Sequence, residues 1–409
     1  MRVGKDGRFH LAYCTKIHPV NGWDELVETL RSSLPALKSR LSPAHPFGIA
    51  LRLSAAESVE LQEPSRLRDF KEFLKQHDSY VFTMNGFPFG SFYGQPVKER
   101  IFAPDWRDEE RVQYTLRLIE ILRQLLPADV EGGISTLPLS YKFWIAPDQE
   151  EKAMEHIVRN LLRIVEALVA VRKEHGVSLH LDIEPEPDGA VENIPEFIHF
   201  YRQWLDSFGA PLLARSLQTS VSAARRHLRD HIQLCLDTCH LAVAYEEPAE
   251  VIKLLAQEGI AIGKVQIASG LKVSFPEIGE DRCGLSSCLE RFAHSLYLHQ
   301  VIGRRAGVMS GRYLDLYRAL PRLEACRDEE WRIHYHMPLF VERYHMLQTT
   351  WAETRQALHL LVGRGLTRHL EIETYTWEQL PADLKIPLQD SLDKEYHWVL
   401  ETLAEGPRT

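Results

Sequence analysis

Short runs of apolar or alternating residues recur along most of the 409-residue chain, and most of them precede a longer segment with helical periodicity. Each run has the length of a β-strand. The segments that follow the runs have apolar residues three and four positions apart, which is the spacing of an amphipathic helix. Eight such runs occur, at residues 10–18, 47–54, 80–88, 133–138, 178–187, 232–236, 264–269 and 369–377.

Strands that alternate with helices are typical of a parallel sheet with right-handed crossovers. Eight such units predict an α/β fold of the closed (β/α)8 TIM-barrel type rather than an open doubly wound sheet. An amphipathic helix is predicted at 109–125, one of the strongest helical patterns covers 150–175, and a closing helix is predicted at 387–403. No Gly-x-Gly-x-x-Gly follows the first strand and no phosphate-binding Gly-x4-Gly-Lys-Ser/Thr loop is present, so we expect no nucleotide cofactor.

One segment, 270–368, is too long for a simple strand–helix unit. Its pattern predicts helices at 286–300 and 313–322 and an extended run at 331–338. We therefore expect residues 1–409 to form a single barrel domain that carries a long helical insertion between the seventh and eighth strands. Long insertions of this kind are usually functional, so the segment is a candidate lid.

Composition limits the classes of binding partner and the cellular compartment that we expect. The formal net charge of −9 and the pI near 6.1 disfavour nucleic acid, because phosphate binding needs a basic surface. The six cysteines have no zinc-ribbon spacing and are expected as reduced thiols. The first residues contain no apolar signal region, and no long apolar segment follows. We expect a cytoplasmic protein without membrane insertion that binds a small molecule.

Polar side chains stand at or near the ends of the last four strands: Glu184, Asp237, Gln266 and Glu373. Alternate residues of a strand point to opposite faces, so the apolar neighbours of Glu184 and Glu373 would face the helices and these carboxylates would face the barrel axis. The four strands then direct three carboxylates and one amide oxygen to the same end of the barrel, where TIM barrels carry their sites.

Buried carboxylates that stand together repel one another, and a divalent cation removes that cost. An oxygen-rich set favours Mn²⁺ or Mg²⁺, and added histidines shift the preference toward Zn²⁺. We therefore predict a divalent metal ion of uncertain identity as the cofactor. The alternative is neutralisation by a basic side chain, for which Arg52, Lys98 and Arg100 are candidates.

Histidines provide further candidates. His240 follows Asp237 by three residues, although Asp237 could simply cap the next helix. Since an oxygen-rich set can hold the ion without it, we assign His240 to a substrate or supporting contact. His334 and His336 form a His-x-His pair, and an extended segment would put both rings on one face. His18, at the end of the first strand, is either a pocket residue or a loop histidine.

Three other side chains are candidates for substrate contact. Asn85 ends the third strand and precedes glycine and aromatic residues, so its amide could bind a substrate hydroxyl. Tyr375 could stack on a sugar or pack against the following helix. Arg52, on the second strand, could support either the substrate or the carboxylates.

The set of Glu184, Asp237, Gln266 and Glu373 resembles the site of the xylose-isomerase-like TIM barrels, which include sugar isomerases and epimerases, inosose dehydratases and endonuclease-IV-type enzymes. The resemblance implies a metal held by Glu, Asp, His and Glu on strands five to eight. Gln266 stands where histidine is usual, which changes the expected affinity for the metal.

A resemblance over nearly the full length rests on several motifs, among them Tyr13-Cys-Thr-Lys-Ile-His-Pro19, Phe82-Thr-Met-Asn-Gly-Phe-Pro88 and Glu371-Ile-Glu-Thr-Tyr-Thr-Trp377. These look like the family called metabolite traffic protein EboE. The resemblance implies a role in a bacterial gene cluster that processes a secondary-metabolite precursor and moves it toward the periplasm, with pathway proteins of that cluster as partners. It implies a pathway and no particular reaction.

Three functions follow as hypotheses. The first is a metal-dependent isomerase, epimerase or lyase acting on a polyhydroxylated small molecule, with Glu184 and Glu373 as acid and base. The second is an endonuclease-IV-like zinc phosphodiesterase, because the Asp237-Thr-Cys-His240 turn and the His334-x-His336 pair resemble the zinc ligands of that group. The acidic charge and the lack of histidine at the tips of strands two to four oppose it. The third is a non-catalytic carrier that binds a metabolite, which the presence of Gln266 supports.

Overall fold

The computed structural model describes the chain except for residues 5, 92, 95, 276–280, 294–295 and 406–409. Its centre is a barrel of eight parallel strands, β1 to β8 in chain order. They are Phe9–Cys14, Phe47–Arg52, Ser79–Asn85, Gly132–Thr136, Leu179–Ile183, Ile232–Asp237, Ile262–Ile267 and His369–Ile372. Neighbours in the chain are neighbours in the sheet, and β8 pairs with both β7 and β1, which closes the barrel. The predicted TIM barrel is confirmed.

Helices surround the barrel and follow the predicted strand–helix alternation. The main ones are Trp23–Leu41, Ala55–Leu61, Pro64–Gln76, Glu109–Leu125, Glu150–His175, Ile194–Phe200, Ala210–Ser216, Val221–His231, Thr238–Val243, Pro248–Glu258, Trp351–Gly363 and Leu388–Glu405. In the longest, Ile157, Leu161, Val165 and Leu168 are buried at helical spacing. This helix ends at Gly176, which takes the left-handed conformation (φ 70°) that glycine adopts without strain.

Apolar strand residues that face the helices form the main core, which is buried between barrel and helices. The barrel interior is different, because much of it is polar. Lys264 Nζ donates to Glu371 Oε2 at 2.8 Å, Ser135 Oγ at 3.0 Å and Asn85 Oδ1 at 3.1 Å, and none of these four side chains is more than 1% exposed. A paired set of buried polar groups therefore fills the barrel beneath its C-terminal end.

The segment between β7 and β8 forms a second sheet of six antiparallel strands: Ser269–Ser274, Val301–Arg305, Val308–Tyr313, Glu330–Met337, Arg343–Tyr344 and Leu347–Thr349. The prediction of a helical insertion is therefore wrong in its main element. The helices that the structure describes in this segment are Arg282–Ala293, the short Leu316–Ala319 and Trp351–Gly363. Local periodicity missed the sheet because its central strand, Glu330–Met337, pairs with a strand more than 50 residues earlier.

This second sheet has an apolar core of its own, in which Trp331, Leu271 and Val273 are fully buried. It joins the barrel directly, because its first strand begins two residues after the end of β7. The sheet therefore stands at the C-terminal end of the barrel, where it can contribute side chains to a site. No helix in the described part of the chain combines the length and apolar character needed to cross a membrane.

Candidate metal centre

Three of the four predicted metal ligands converge. Glu184 and Glu373 each directly follow a strand, β5 and β8, and Asp237 is the last residue of β6. One carboxylate oxygen from each lies within 4.8 Å of the others. All three residues are at most 4% exposed. The strands of the barrel place three carboxylates together in a setting that excludes most water.

The fourth predicted ligand, Gln266, is the register partner of Asp237 on the neighbouring strand. Its Nε2 donates to Asn85 Oδ1 at 3.2 Å, inside the barrel. Its Oε1 is buried and has no hydrogen-bond partner among the described residues. Gln266 therefore offers a buried oxygen acceptor on the strand next to Asp237, and an amide oxygen is a ligand that a hard divalent ion accepts.

The two oxygens of Asp237 have different surroundings. Oδ1 accepts hydrogen bonds from the backbone N–H groups of Cys239 (2.6 Å) and His240 (3.1 Å), and thereby caps the helix Thr238–Val243. Oδ2 is buried and receives no N–H or hydroxyl donor from the described residues. Burial raises the pKa of Asp237 to about 7, although the backbone bonds and a contact with the Glu373 carboxyl act against it. Capping and metal binding are therefore compatible at this residue.

A lysine outside the predicted set of site residues lies among the carboxylates. Lys16 follows β1, and its Nζ is 2.6 Å from Glu373 Oε1 and 4.6 Å from the centre of the Tyr375 ring. Burial lowers the pKa of Lys16, but Glu373 and the neighbouring Tyr375, Cys14 and Glu184 together outweigh it, and the net shift of the pKa is upward. Lys16 is therefore a buried ammonium at the site.

The basic residues predicted as alternative partners of the carboxylates lie elsewhere, and that prediction is corrected. The Arg52 guanidinium donates to the carbonyl oxygen of Gly90 and lies 3.5 Å from Glu57, so it holds the loop after β3. Lys98 pairs with Asp315 at 2.7 Å, and Arg100 lines a separate surface groove. The strand tips alone did not show which basic residue the fold would bring inward.

The site has an excess of acidic groups over Lys16. Glu186, two residues after Glu184, is 6% exposed and lines the same cavity. Burial raises the pKa of Glu184, Glu186 and Glu373, and the neighbouring carboxylates raise each of them further. Four carboxyls and one ammonium would leave three uncompensated negative charges if all were ionised. A divalent cation would compensate two of these charges, so the donor set fits such an ion.

Three histidines form a second group beside the carboxylates. One ring nitrogen from each of His240, His334 and His336 lies within 4.8 Å of the others. His334 and His336 are alternate residues of the insertion strand Glu330–Met337, so their rings share a face. The Nε2 atoms of His240 and His334 are 3.0 Å apart. Burial lowers the pKa of all three, so they are neutral imidazoles.

The carboxylate and histidine groups adjoin each other. His336 Nε2 is 3.7 Å from Asp237 Oδ2, and His240 Nδ1 is 3.8 Å from Glu184 Oε1. The barrel supplies the carboxylates, and the second sheet supplies two of the histidines. The site is therefore built jointly by the barrel and the 270–368 segment.

Aromatic and apolar side chains wall the cavity above these groups. Phe87, Ile101 and Phe102 come from the loop after β3, and Tyr297 and Leu298 come from the insertion. Lys16 and the carboxylates and histidines that line the cavity are each less than 10% exposed. The cavity between these groups measures only about 30 Å³, so its polar atoms are largely shielded from solvent.

The other residues that were predicted to contact a substrate lie at different places in the fold. Tyr375 lines the cavity. Asn85 lies inside the barrel, where its Nδ2 donates to Glu371 Oε1 at 2.6 Å. His18 is 3% exposed and packs edge-on against Tyr13, with ring centres 5.8 Å apart. The structure therefore brings Tyr375 to the site, whereas Asn85, His18 and Arg52 are outside the residues that line the cavity.

Several cavity residues were missing from the predicted set. Lys16 and Glu186 carried a usable signal, because each stands just beyond the end of a barrel strand, close to predicted site residues. Tyr297 and Gln300 carried no such signal in the sequence. They lie in the insertion, and the fold of the insertion brings them to the cavity. Strand-tip reasoning finds residues of the barrel and cannot find those that a separate sheet contributes.

Comparisons with known proteins concern the fold. No protein-family model matches the chain, and no curated protein matches it. Among solved structures, an L-ribulose 3-epimerase is 12% identical (97% of this chain and 96% of that chain covered, TM-score 0.48). A D-tagatose 3-epimerase-like protein is 13% identical (96% and 98%, TM-score 0.46). An IOLI protein with a binding zinc atom is 14% identical (98% and 100%, TM-score 0.45).

These likenesses are weak, so the barrel fold rests on the strand pairing described above. The three structures carry no argument about the reaction of this chain. None of them bears on the resemblance to the EboE family, which stays a prediction.

Proposed function

We propose that this protein is a metal-dependent isomerase, epimerase or lyase-like enzyme that acts on a polyhydroxylated small molecule. The observation that carries the proposal is the convergence of Glu184, Asp237 and Glu373, with one oxygen of Asp237 left without an N–H or hydroxyl donor among the described residues. Glu184, Asp237, Gln266 and Glu373 would hold the ion, which is Mn²⁺, Mg²⁺ or Zn²⁺. A bound ion would polarise substrate oxygens and lower the pKa of a hydroxyl or of a proton α to a carbonyl.

The side chains of the cavity have distinct roles in this proposal. Glu184 and Glu373 accept and return the substrate proton as base and acid. The Lys16 ammonium donates a hydrogen bond to a substrate oxygen and stabilises negative charge that develops there. Burial of all three groups supports these roles, because an ammonium acts more strongly on a nearby charge where water is excluded.

The proposal extends to the organisation of the chain and to its pathway. We propose that residues 1–409 act as one barrel unit and that 270–368 closes over the substrate, with Tyr297, Leu298 and Tyr375 against it. The motif resemblance to the EboE family supports a substrate that is a secondary-metabolite precursor. The low exposure of the polar groups supports a small molecule over the abasic DNA that an endonuclease-IV-like phosphodiesterase would need.

A deuterium-exchange assay with a panel of candidate substrates tests the proposal. The Mn²⁺-loaded protein is incubated in D₂O with ketoses, inososes and polyols, and carbon-bound deuterium is followed by NMR. We expect exchange with at least one compound. Glu184→Gln and Glu373→Gln should each slow exchange about 10²–10⁴-fold, because each removes an acid–base group.

The matched control is Glu57→Gln, which changes a buried carboxylate of a helix capping box outside the cavity and should leave exchange unchanged. If the protein binds an ion and a panel compound but catalyses no exchange, the carrier hypothesis replaces the enzyme. If Glu184→Gln and Glu373→Gln retain full exchange rates, the assigned acid–base roles are wrong.

A further inference from the structure

The closing helix Leu388–Glu405 carries a carboxyl group on its buried face. Leu392, Tyr396 and Val399 lie on this face, and Glu395 lies among them, fully buried. No cationic side chain of the described residues pairs with Glu395, and burial raises the pKa of its carboxyl to about 7. A buried carboxyl without a cation lowers stability, and an apolar residue would fill the same place at a smaller cost. A role other than stability is therefore indicated, and the contacts of Glu395 define it.

Both oxygens of Glu395 accept hydrogen bonds from segments that carry cavity residues. Oε2 accepts from the Thr374 hydroxyl at 2.7 Å, and Oε1 accepts from the backbone N–H of Leu339 at 3.1 Å. Thr374 directly follows Glu373 at the end of β8, and Leu339 stands two residues beyond the insertion strand Glu330–Met337. One side chain of an outer helix therefore holds the end of β8 and the end of this insertion strand at the same time.

The same two segments also bind each other on the side of the cavity. His336 Nδ1 is 2.7 Å from the carbonyl oxygen of Glu373, and it donates because a carbonyl oxygen only accepts. The Thr376 hydroxyl donates to the carbonyl oxygen of His336. Glu395 completes this set of bonds from the side of the helix. A functional carboxylate must be held within about 0.5 Å of its working position, and bonds to the adjacent backbone are a direct means of holding it.

We propose that Glu395 is a positioning residue of the site, which fixes the end of β8, and with it Glu373, against the insertion strand that carries His336. Glu395 does not line the cavity and acts only through Thr374 and Leu339. The importance of Glu373 rests on the proposed function. Its position, however, is a property of the ion-free chain and can be measured without any reaction.

Two substitutions of Glu395 separate its hydrogen bonds from its charge. Glu395→Leu removes both acceptors. Glu395→Gln keeps both links, because its Oε1 can accept from the Leu339 N–H and its Nε2 can donate to the Thr374 hydroxyl, which both donates and accepts. Thr374→Val removes one link with little change of shape, and it replaces Glu395→Leu if that variant does not fold.

Glu57 provides a matched control. It is also a buried carboxylate that joins two chain segments, through the backbone N–H groups of Gly22 at 3.1 Å and Ser54 at 2.6 Å, but it lies outside the cavity. Glu57→Leu should therefore lower the stability of the protein without moving the end of β8.

Crystal structures of the ion-free full-length variants test the position directly. In Glu395→Leu, or in Thr374→Val, we expect the distance between His336 Nδ1 and the carbonyl oxygen of Glu373 to exceed about 3.5 Å, the limit of a hydrogen bond. In Glu395→Gln and Glu57→Leu the distance should stay near the 2.7 Å of the unmodified chain. An unchanged distance in Glu395→Leu and Thr374→Val would overturn the proposal.

Calorimetric titration with Mn²⁺ then measures what the position contributes. Glu395→Leu should bind Mn²⁺ about 10–100-fold more weakly than the wild type, whereas Glu395→Gln and Glu57→Leu should bind it as the wild type does. An equal loss of affinity in Glu57→Leu would reduce the role of Glu395 to general stability and overturn the proposal. If the wild type binds no Mn²⁺, the metal in the proposed function is wrong, and the ion-free structures still decide whether Glu395 positions Glu373.

Discussion

Asp237 combines two roles in one carboxylate. From the sequence, helix capping and metal binding were competing interpretations of this carboxylate. In the structure Oδ1 caps the helix and Oδ2 faces the site, so the two roles divide between its oxygens. Residue type and position predicted both roles, but the division between the oxygens depends on the side-chain angle, which sequence does not show.

The raised pKa of Asp237 gives a prediction about stability. Its value of about 7 in the folded chain exceeds the ordinary 3.8, so between these values the folded state binds the extra proton. This residue therefore makes the ion-free protein less stable as pH rises from about 4 to about 7. Asp237→Asn keeps an oxygen for the cap and lacks the proton equilibrium. The unfolding free energy of the variant relative to wild type should rise by about 1.4 kcal/mol per pH unit in this interval.

Urea unfolding of both proteins in chelator, at several pH values, measures this difference directly. Subtraction of the two series removes the contribution of every group that titrates alike in both proteins. A difference that stays constant between pH 4 and 7 would mean that Asp237 titrates normally.

Lys16 gives a second prediction at the residue scale. Its ammonium and a divalent ion would both interact with Glu373, and they repel each other. Lys16→Met should therefore increase the affinity for Mn²⁺ by about tenfold or more, while the ion-free protein becomes less stable because Glu373 loses its partner. Calorimetric titration measures the affinity. An unchanged dissociation constant would show that the ion does not bind near Glu373.

At the scale of elements, the strands were the most predictable feature. Each of the eight apolar runs contains or overlaps an observed barrel strand, because buried parallel strands are apolar on the face toward the helices. Polar residues at the ends of these runs then identified three converging carboxylates. The six-stranded sheet was not predictable in this way, because its pairings join segments far apart in the chain.

The polar interior of the barrel gives a prediction about these strands. Lys264 and Glu371 are fully buried on adjacent strands and 2.8 Å apart. Lys264→Met should destabilise the protein by about 3–5 kcal/mol, because it leaves the buried Glu371 carboxylate without its only cationic partner among the described residues. The double variant Lys264→Met/Glu371→Leu should recover a large part of this loss. The free energies of unfolding of these two variants and of Glu371→Leu alone, measured by thermal unfolding, form a double-mutant cycle with the wild type. Additive losses would contradict the coupling.

At the scale of the whole molecule, the barrel and the second sheet form one site from separate parts of the chain. His336 Nδ1 donates to the carbonyl oxygen of Glu373, and the Thr376 hydroxyl donates to the carbonyl oxygen of His336. The end of β8 is thus joined to the strand Glu330–Met337. Sequence predicted the barrel and its carboxylates, but it could not predict this contact or the partners that it brings to the cavity.

The central claim is that Glu184, Asp237 and Glu373 hold a divalent ion. A crystal structure of the protein soaked in Mn²⁺, with anomalous scattering recorded for manganese, tests it most directly. We predict an anomalous peak bonded to oxygens of all three carboxylates, with Lys16 displaced from Glu373. An ion-free site in which Lys16 stays paired with Glu373 at saturating Mn²⁺ would contradict the account.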